Sequence, residues 1–147
     1  MASLNRIALD VDLMHEGKWV PVKIGEELLE VRARGFIPKW RDTLHRLRLE
    51  KVKEINRGRS PGEEAVSVPT LAPTVDDVCA ARALADECFI DVRGLNHYDN
   101  GPAVTADEFK ALLLDPVKYR FLLEGLQSAV GEVTADRSRL IETATGN

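Results

Sequence analysis

Polar and apolar positions alternate from Lys18 to Lys23 (KWVPVK) and again from Leu28 to Ala33 (LLEVRA), with Ile24-Gly25-Glu26-Glu27 between them. A period of two on both sides of a glycine predicts a β-hairpin. Pro21 has no N–H to give to a ladder, so its strand belongs at a sheet edge or carries a bulge. Gly35 closes that unit. The period then lengthens: Trp40, Leu44, Leu47 and Ile55 recur at helical spacing with Val52 beside them. Pro38 suits a first helical turn, where a missing N–H costs nothing. The pattern therefore predicts a helix from Pro38 to Arg57, ended by Gly58.

Periodicity vanishes from Arg57 to Pro73 (RGRSPGEEAVSVPTLAP), which holds two Gly and three Pro and reads as an exposed, flexible loop over 58–73. Thr74 then reads as the N-cap of a helix from Val75 to about Cys88, with Asp76 and Asp77 at its positive end. Its stripe is Val78, Ala81, Leu84, Ala85 and Cys88. Phe89 to Leu95 either continues that helix or forms a short extended piece. Asn96 to Val104 reads as a loop that turns at Asn100-Gly101. Thr105-Ala106-Asp107-Glu108 has the form of a capping box and opens a helix carrying Phe109, Leu112, Leu113 and Leu114. Asp115-Pro116 restarts a helix, whose apolar side is expected from Val117, Phe121, Leu122, Ala129 and Val130. A last helix is expected from about Val133 to Thr143, and 144–147 as a disordered tail. Residues 1–17 read as a mixed leader, 18–57 as hairpin plus basic helix, and 74–143 as the helical remainder of one domain. The fold class is mainly α, a small helical domain of four to five helices with an N-terminal β-hairpin.

The chain has 147 residues, 44% hydrophobic and only 5% aromatic. Leu, Val, Ile and Ala must therefore fill most of the core. No apolar run approaches the roughly 20 residues of a membrane span. The N-terminus lacks an apolar stretch after a basic one, the mark of a secretory signal, so the expected location is the cytoplasm. Net charge is −4, unevenly spread: residues 32–59 carry ten basic and three acidic groups, and residues 60–147 carry seven basic and fifteen acidic. Such asymmetry marks a surface for nucleic acid or an acidic partner, or a basic helix packed beside its own acidic half. The candidate electrostatic surface is Arg41, Arg46, Arg48, Lys51, Lys53 and Arg57.

Candidate chemistry is sparse. Cys79 and Cys88 are spaced for neither a redox motif nor a zinc pair and read as small buried hydrophobes. His15, His45 and His97 fall in a leader, a helix and a loop, with no metal-ligand spacing. Asp86, Glu87, Asp91 and Asp99 do not match a calcium loop. No P-loop, dinucleotide fingerprint or nucleophile elbow is present. No catalytic, metal or cofactor residue is assigned, and a non-enzymatic role is expected. Nucleic acid is disfavoured, because no second helix and turn would seat the basic helix as a recognition helix and no aromatic platform accompanies it.

Two regions carry a family resemblance. The first is Glu16-Gly17-Lys18-Trp19-Val20-Pro21-Val22, followed by Leu28 to Arg34 and the basic helix. The second runs from Phe89 to Tyr119, through Ile90-Asp91-Val92-Arg93-Gly94-Leu95, Asn100-Gly101-Pro102-Ala103-Val104-Thr105, Leu112-Leu113-Leu114-Asp115-Pro116 and Tyr119-Arg120. In order and spacing these resemble the tail assembly chaperones of siphophages and their prophage relatives, over roughly residues 16 to 125 outside the loop. Val92 stands where that family usually has Trp, and Arg93 where it usually has an acidic residue. The resemblance implies a protein that binds the tape measure protein, and through it meets the tail tube protein. It would keep the tape measure soluble in the host cytoplasm during tail morphogenesis and be absent from the mature virion. The candidate partner surface under this reading is Trp19, Trp40, Arg93, Leu95, Leu113 and Tyr119. Homo-oligomerisation stays open. The alternatives are a small regulatory binder of nucleic acid or a host protein, acting through helix 38–57, and a structural tail component.

Overall fold

The computed structural model describes residues 1–145, with side chains to Thr143. It is 55% helical with a small antiparallel sheet. The hairpin forms as its alternation requires. β1 (Lys18–Ile24) pairs with β2 (Glu27–Ala33), Ile24 facing Glu27 across the two-residue turn Gly25-Glu26. Gly25 has φ +61°, which a first turn residue of the II′ type needs and which glycine adopts without strain. Pro21 lies on β1, an edge strand as its missing N–H demands.

The hairpin is not the whole sheet. Residues Phe89–Arg93 form β3, antiparallel to β2, with Val31 opposite Val92 and Glu30 opposite Arg93. The hairpin expected from the sequence is thus two-thirds of a three-stranded sheet of order β1-β2-β3. Five residues of mixed apolar pattern carry no local signal that distinguishes a helix end from a strand. The pairing with a partner some sixty residues upstream decides it.

Among the described residues seven α-helices accompany the sheet: α1 (Leu4–Ile7), α2 (Val11–Glu16), α3 (Pro38–Arg57), α4 (Pro73–Glu87), α5 (Ala106–Leu113), α6 (Arg120–Ala135) and α7 (Ser138–Thr145). Five of them reach eight residues. The segment read as a leader holds α1 and α2, and Leu13 and Met14 of α2 are buried. The loop after α3 carries a 3-10 turn at Val68–Thr70, and Asn56 binds Val66 through both main-chain N–H and C=O. α4 begins one residue before Thr74: Pro73 takes the first helical position and Ala72 is the N-cap, because proline's fixed φ presets the first turn. The capping box at Thr105 and Glu108 is formed reciprocally, at 3.2 and 3.1 Å. Asp115 accepts from the Lys118 N–H, but it caps a turn, and α6 starts only at Arg120. α6 runs on to Ala135, so the last helix starts at Ser138 and not near Val133; it continues through Ala144 and Thr145. Gly146 and Asn147, the end of the expected tail, lie outside the described residues.

The sheet buries one face. Val20, Val22, Leu29 and Val31 point at α6, where Leu126, Ala129, Val130 and Val133 return the contact. Phe109 of α5 stacks on Phe89 of β3 with ring centroids 4.6 Å apart. Each such fully buried side chain is worth about 1.5–3 kcal/mol relative to exposure. A second, smaller cluster joins α3 to α4 through Leu44, Leu47, Cys79 and Ala83, and Trp40 touches both clusters. The other sheet face, with Trp19, Leu28, Glu30 and Arg93, looks outward.

Candidate functional site

The α5–α6 corner is the place where apolar side chains were expected inside and are found outside. The capping box aims α5 so that Phe109 and Leu113 enter the core. The chain then turns at Asp115-Pro116, with Tyr119 N–H donating to the Asp115 carbonyl, and α6 leaves in a new direction. Two residues expected on the inner side of that helix, Val117 and Phe121, are 84% and 67% exposed, and Leu114 is exposed beside them. The delayed start of α6 leaves Val117 in the turn, and Phe121, in the first turn of α6, lies off the buried stripe of Gly125, Leu126, Ala129, Val130 and Val133.

Opposite this corner stands α4. Between them lies a groove of about 760 Å³. Its apolar floor includes Val78 and Ala81 of α4, Leu114 and Val117 of the corner, and Leu123 of α6. Asp77, Asp115 and Glu124 stand on its rim with Arg120, and Arg120 is already paired with Glu124 at 3.0 Å. The rim is therefore net acidic. Its polar lining is the Thr74 hydroxyl, the Gln127 amide, the three carboxylates and Arg120, so the groove offers apolar surface ringed by charge. An apolar floor between charged rims is the surface that an amphipathic helix covers.

The residues singled out from the sequence are scattered. Trp19 and Arg93 do meet: the guanidinium lies 4.0 Å from the indole centroid and forks onto Glu30 through two 3.0 Å bonds. That bidentate pair holds the Glu30 carboxyl below its ordinary range. Trp40 lies some distance off in the α3–α4 seam, edge-on to Phe36, its buried indole N–H without an acceptor. Leu95 packs against the main core. Tyr119 is half-buried with Lys118 over its ring. Leu113 is fully buried and cannot line an open surface. It faces the core because α5's short amphipathic pattern turns Leu113 inward and leaves Leu114 outside. The groove residues Val78 and Val117, and Phe121 exposed near them, were expected on the inner stripes of their helices, as an apolar residue at helical spacing ordinarily is.

The basic helix spends much of its charge within the fold. Arg48 forks onto Asp76 of α4 at 2.6 and 3.1 Å, Lys39 reaches Glu87, and Thr43 donates to the same carboxylate. Arg46 and Lys51 pair with Glu50 and Glu54 on α3 itself. Arg41, Lys53 and Arg57 are exposed and form no ion pair among the described residues. The asymmetry of charge along the chain is thus partly the mark of α3 packing beside an acidic α4.

Among the described residues no group of three or more His, Cys, Asp or Glu could hold a metal ion, and no helix is long and apolar enough to cross a membrane. Compared with protein-family models, with curated proteins and with solved structures, the chain matches none of them.

Proposed function

We propose that the protein is a non-catalytic binding protein that holds an amphipathic helix of a client in the α4–α5–α6 groove. The observation that carries the reading is the exposure of Leu114, Val117 and Phe121 together at one corner, with Leu114 and Val117 lining the groove. Contiguous apolar surface beside polar residues marks an interaction site, and an apolar groove between two helices suits a helical client. The sequence resemblance names the client: the tape measure protein, a long helical chain whose apolar stripes aggregate when bare. The protein would cover such stripes in the host cytoplasm and leave as the tail tube closes around them. Weak contacts repeated along the client suit a cover that must be displaced.

Co-expression with a tape measure protein tests this. The wild-type chain is expected to bring the client into the soluble fraction, and Val117→Glu with Phe121→Glu is expected to leave it in the pellet. Equal solubilisation by the variant, or none by the wild type, overturns the reading. The unpaired Arg41, Lys53 and Arg57 favour a second reading, an acidic partner on α3. Salt-sensitive binding of a nucleic-acid duplex without any effect on the client would support it. Presence of the chain in purified particles would instead favour a structural tail component.

A further inference from the structure

The N-terminal arm raises a separate question. Residues 1–9 bury nothing: Leu4 and Ile7 of α1 are 82% and 64% exposed, and Leu9 is exposed beyond them. Four residues are far too few to hold a helical turn in water by themselves. Yet the turn is held from outside, because Arg137 donates to the main-chain carbonyls of Ala8 and Asn5 at 2.7 and 3.0 Å. An apolar surface that is ordered but uncovered is preorganised for a partner. Arg6, in the middle of the arm, has no carboxylate partner among the described residues; its one bond is to the Met1 carbonyl.

The groove has the complementary character, apolar within and acidic at the rim, where Arg120 is taken up by Glu124 and neither Asp77 nor Asp115 is in an ion pair among the described residues. The arm cannot fill the groove of its own chain while Arg137 holds it. α6 has 16 residues and is about 24 Å long; its first turns line the groove, and the arm is tied just past its other end. We propose that the arm of one copy docks Leu4, Ile7 and Leu9 in the groove of a second copy, with Arg6 meeting the Asp77 and Asp115 carboxylates. Such a contact is head-to-tail: each chain offers one arm and one groove. It shares the groove with the client proposed above, so a second copy covers the apolar floor until a client takes its place. It does not require that client, and the test below is run without one.

Sedimentation velocity and light scattering on the purified chain decide it. The wild type is expected to gain mass with concentration up to about 1 mM, where even a contact with a Kd of about 1 mM occupies roughly two-fifths of the sites. Leu4→Glu with Ile7→Glu removes the arm, and Val117→Glu removes the groove; each is expected to be monomeric with an unchanged circular dichroism spectrum, since all three positions are exposed. Mixed in equal amounts, the two variants still supply one good arm and one good groove. They are expected to form a dimer and nothing larger. A wild type that stays monomeric at about 1 mM overturns the proposal. So does a variant that keeps the wild-type mass, or a mixture that stays monomeric. Failure here leaves the client reading standing if Val117→Glu still loses client capture, and the converse also holds.

Discussion

Arg139 and Asp10 lie 129 residues apart in sequence and are joined by two hydrogen bonds of 3.0 and 3.1 Å. Asp10 is also the N-cap of α2, accepting from the Leu13 N–H, and is only 5% exposed. One carboxylate therefore starts α2 and ties it to α7. The Arg139 bonds, then the Leu13 N–H, hold its pKa below the ordinary 3.8. Depressed in the folded state, it is a group to which the unfolded chain binds more protons in acid. Its contribution is present above about pH 3.8 and is lost as pH falls toward the folded value. Asp136, held down first by Lys18 at 2.6 Å and then by Ser138, acts in the same direction. Asp10→Asn is expected to lower the melting temperature at pH 7 and to flatten its decline below pH 4. Thermal melts across pH 2 to 7 check both, and an unchanged acid limb in the variant would contradict the assignment.

How far the sequence foretold this fold depends on how local each signal is. The hairpin around Gly25, the helix bounded by Pro38 and Gly58, and the Thr105–Glu108 capping box were all legible, since each is decided by residues within a few positions. β3 was legible only as one of two alternatives, an extended piece or a continued helix, because the partner that decides it, Val31 opposite Val92, is far away in sequence. α2 was not legible: Leu13 and Met14 are apolar for the sake of a core that the chain completes only at Val133. The groove was the least legible part. It exists because α6 starts at Arg120 and not at Pro116, a shift of four residues that turns Val117 outward. No pattern within the corner encodes that choice.

Gly125 shows how tightly α6 lies on the sheet. A Cβ at that position would stand 2.8 Å from Cγ1 of Val22 and 3.5 Å from Cδ1 of Ile24. Its φ is ordinary, so close approach alone explains the glycine. Gly125→Ala gains about 1 kcal/mol of helix propensity, offset by displacing a stiff valine. Gly125→Leu has no room and is expected to lose about 1–3 kcal/mol through overpacking. Urea titrations of the three proteins give the order. A leucine variant as stable as the wild type would mean that α6 can lift from β1.

The two thiols give a test of the core that needs no change in its shape. Cys88 is wholly buried against α3's approach, its Sγ donating to the Gly35 carbonyl at 3.4 Å, and burial pushes its pKa up to about 12. Burial also raises that of Cys79. A thiol attacks only as thiolate and only where a reagent can reach it. Neither is expected to react with iodoacetamide at pH 8 in the folded protein, and both are expected to react in denaturant. Mass spectrometry of timed samples reads this directly, and rapid native labelling of Cys88 would contradict the packing of β3 on α4.

Leu113 and Val117 stand four residues apart at one corner and should answer to a charge in opposite ways. Leu113 is fully buried among Phe109, Leu126 and their neighbours. Leu113→Ala is expected to cost about 2–5 kcal/mol through lost transfer energy and the cavity left behind. Leu113→Asp adds an unpaired buried charge, which no side chain at hand can neutralise, and is expected to abolish the cooperative melt. Val117 is already in water, so Val117→Glu removes almost no contact and should change stability by no more than about 0.5 kcal/mol. Client capture would then be lost in both variants for different reasons, with the fold intact only in the second. Circular dichroism melts beside the solubility assay separate these outcomes. A folded Leu113→Asp would place that side chain at the surface, and an unfolded Val117→Glu would place the corner inside the core; either would remove the groove on which binding by this corner depends.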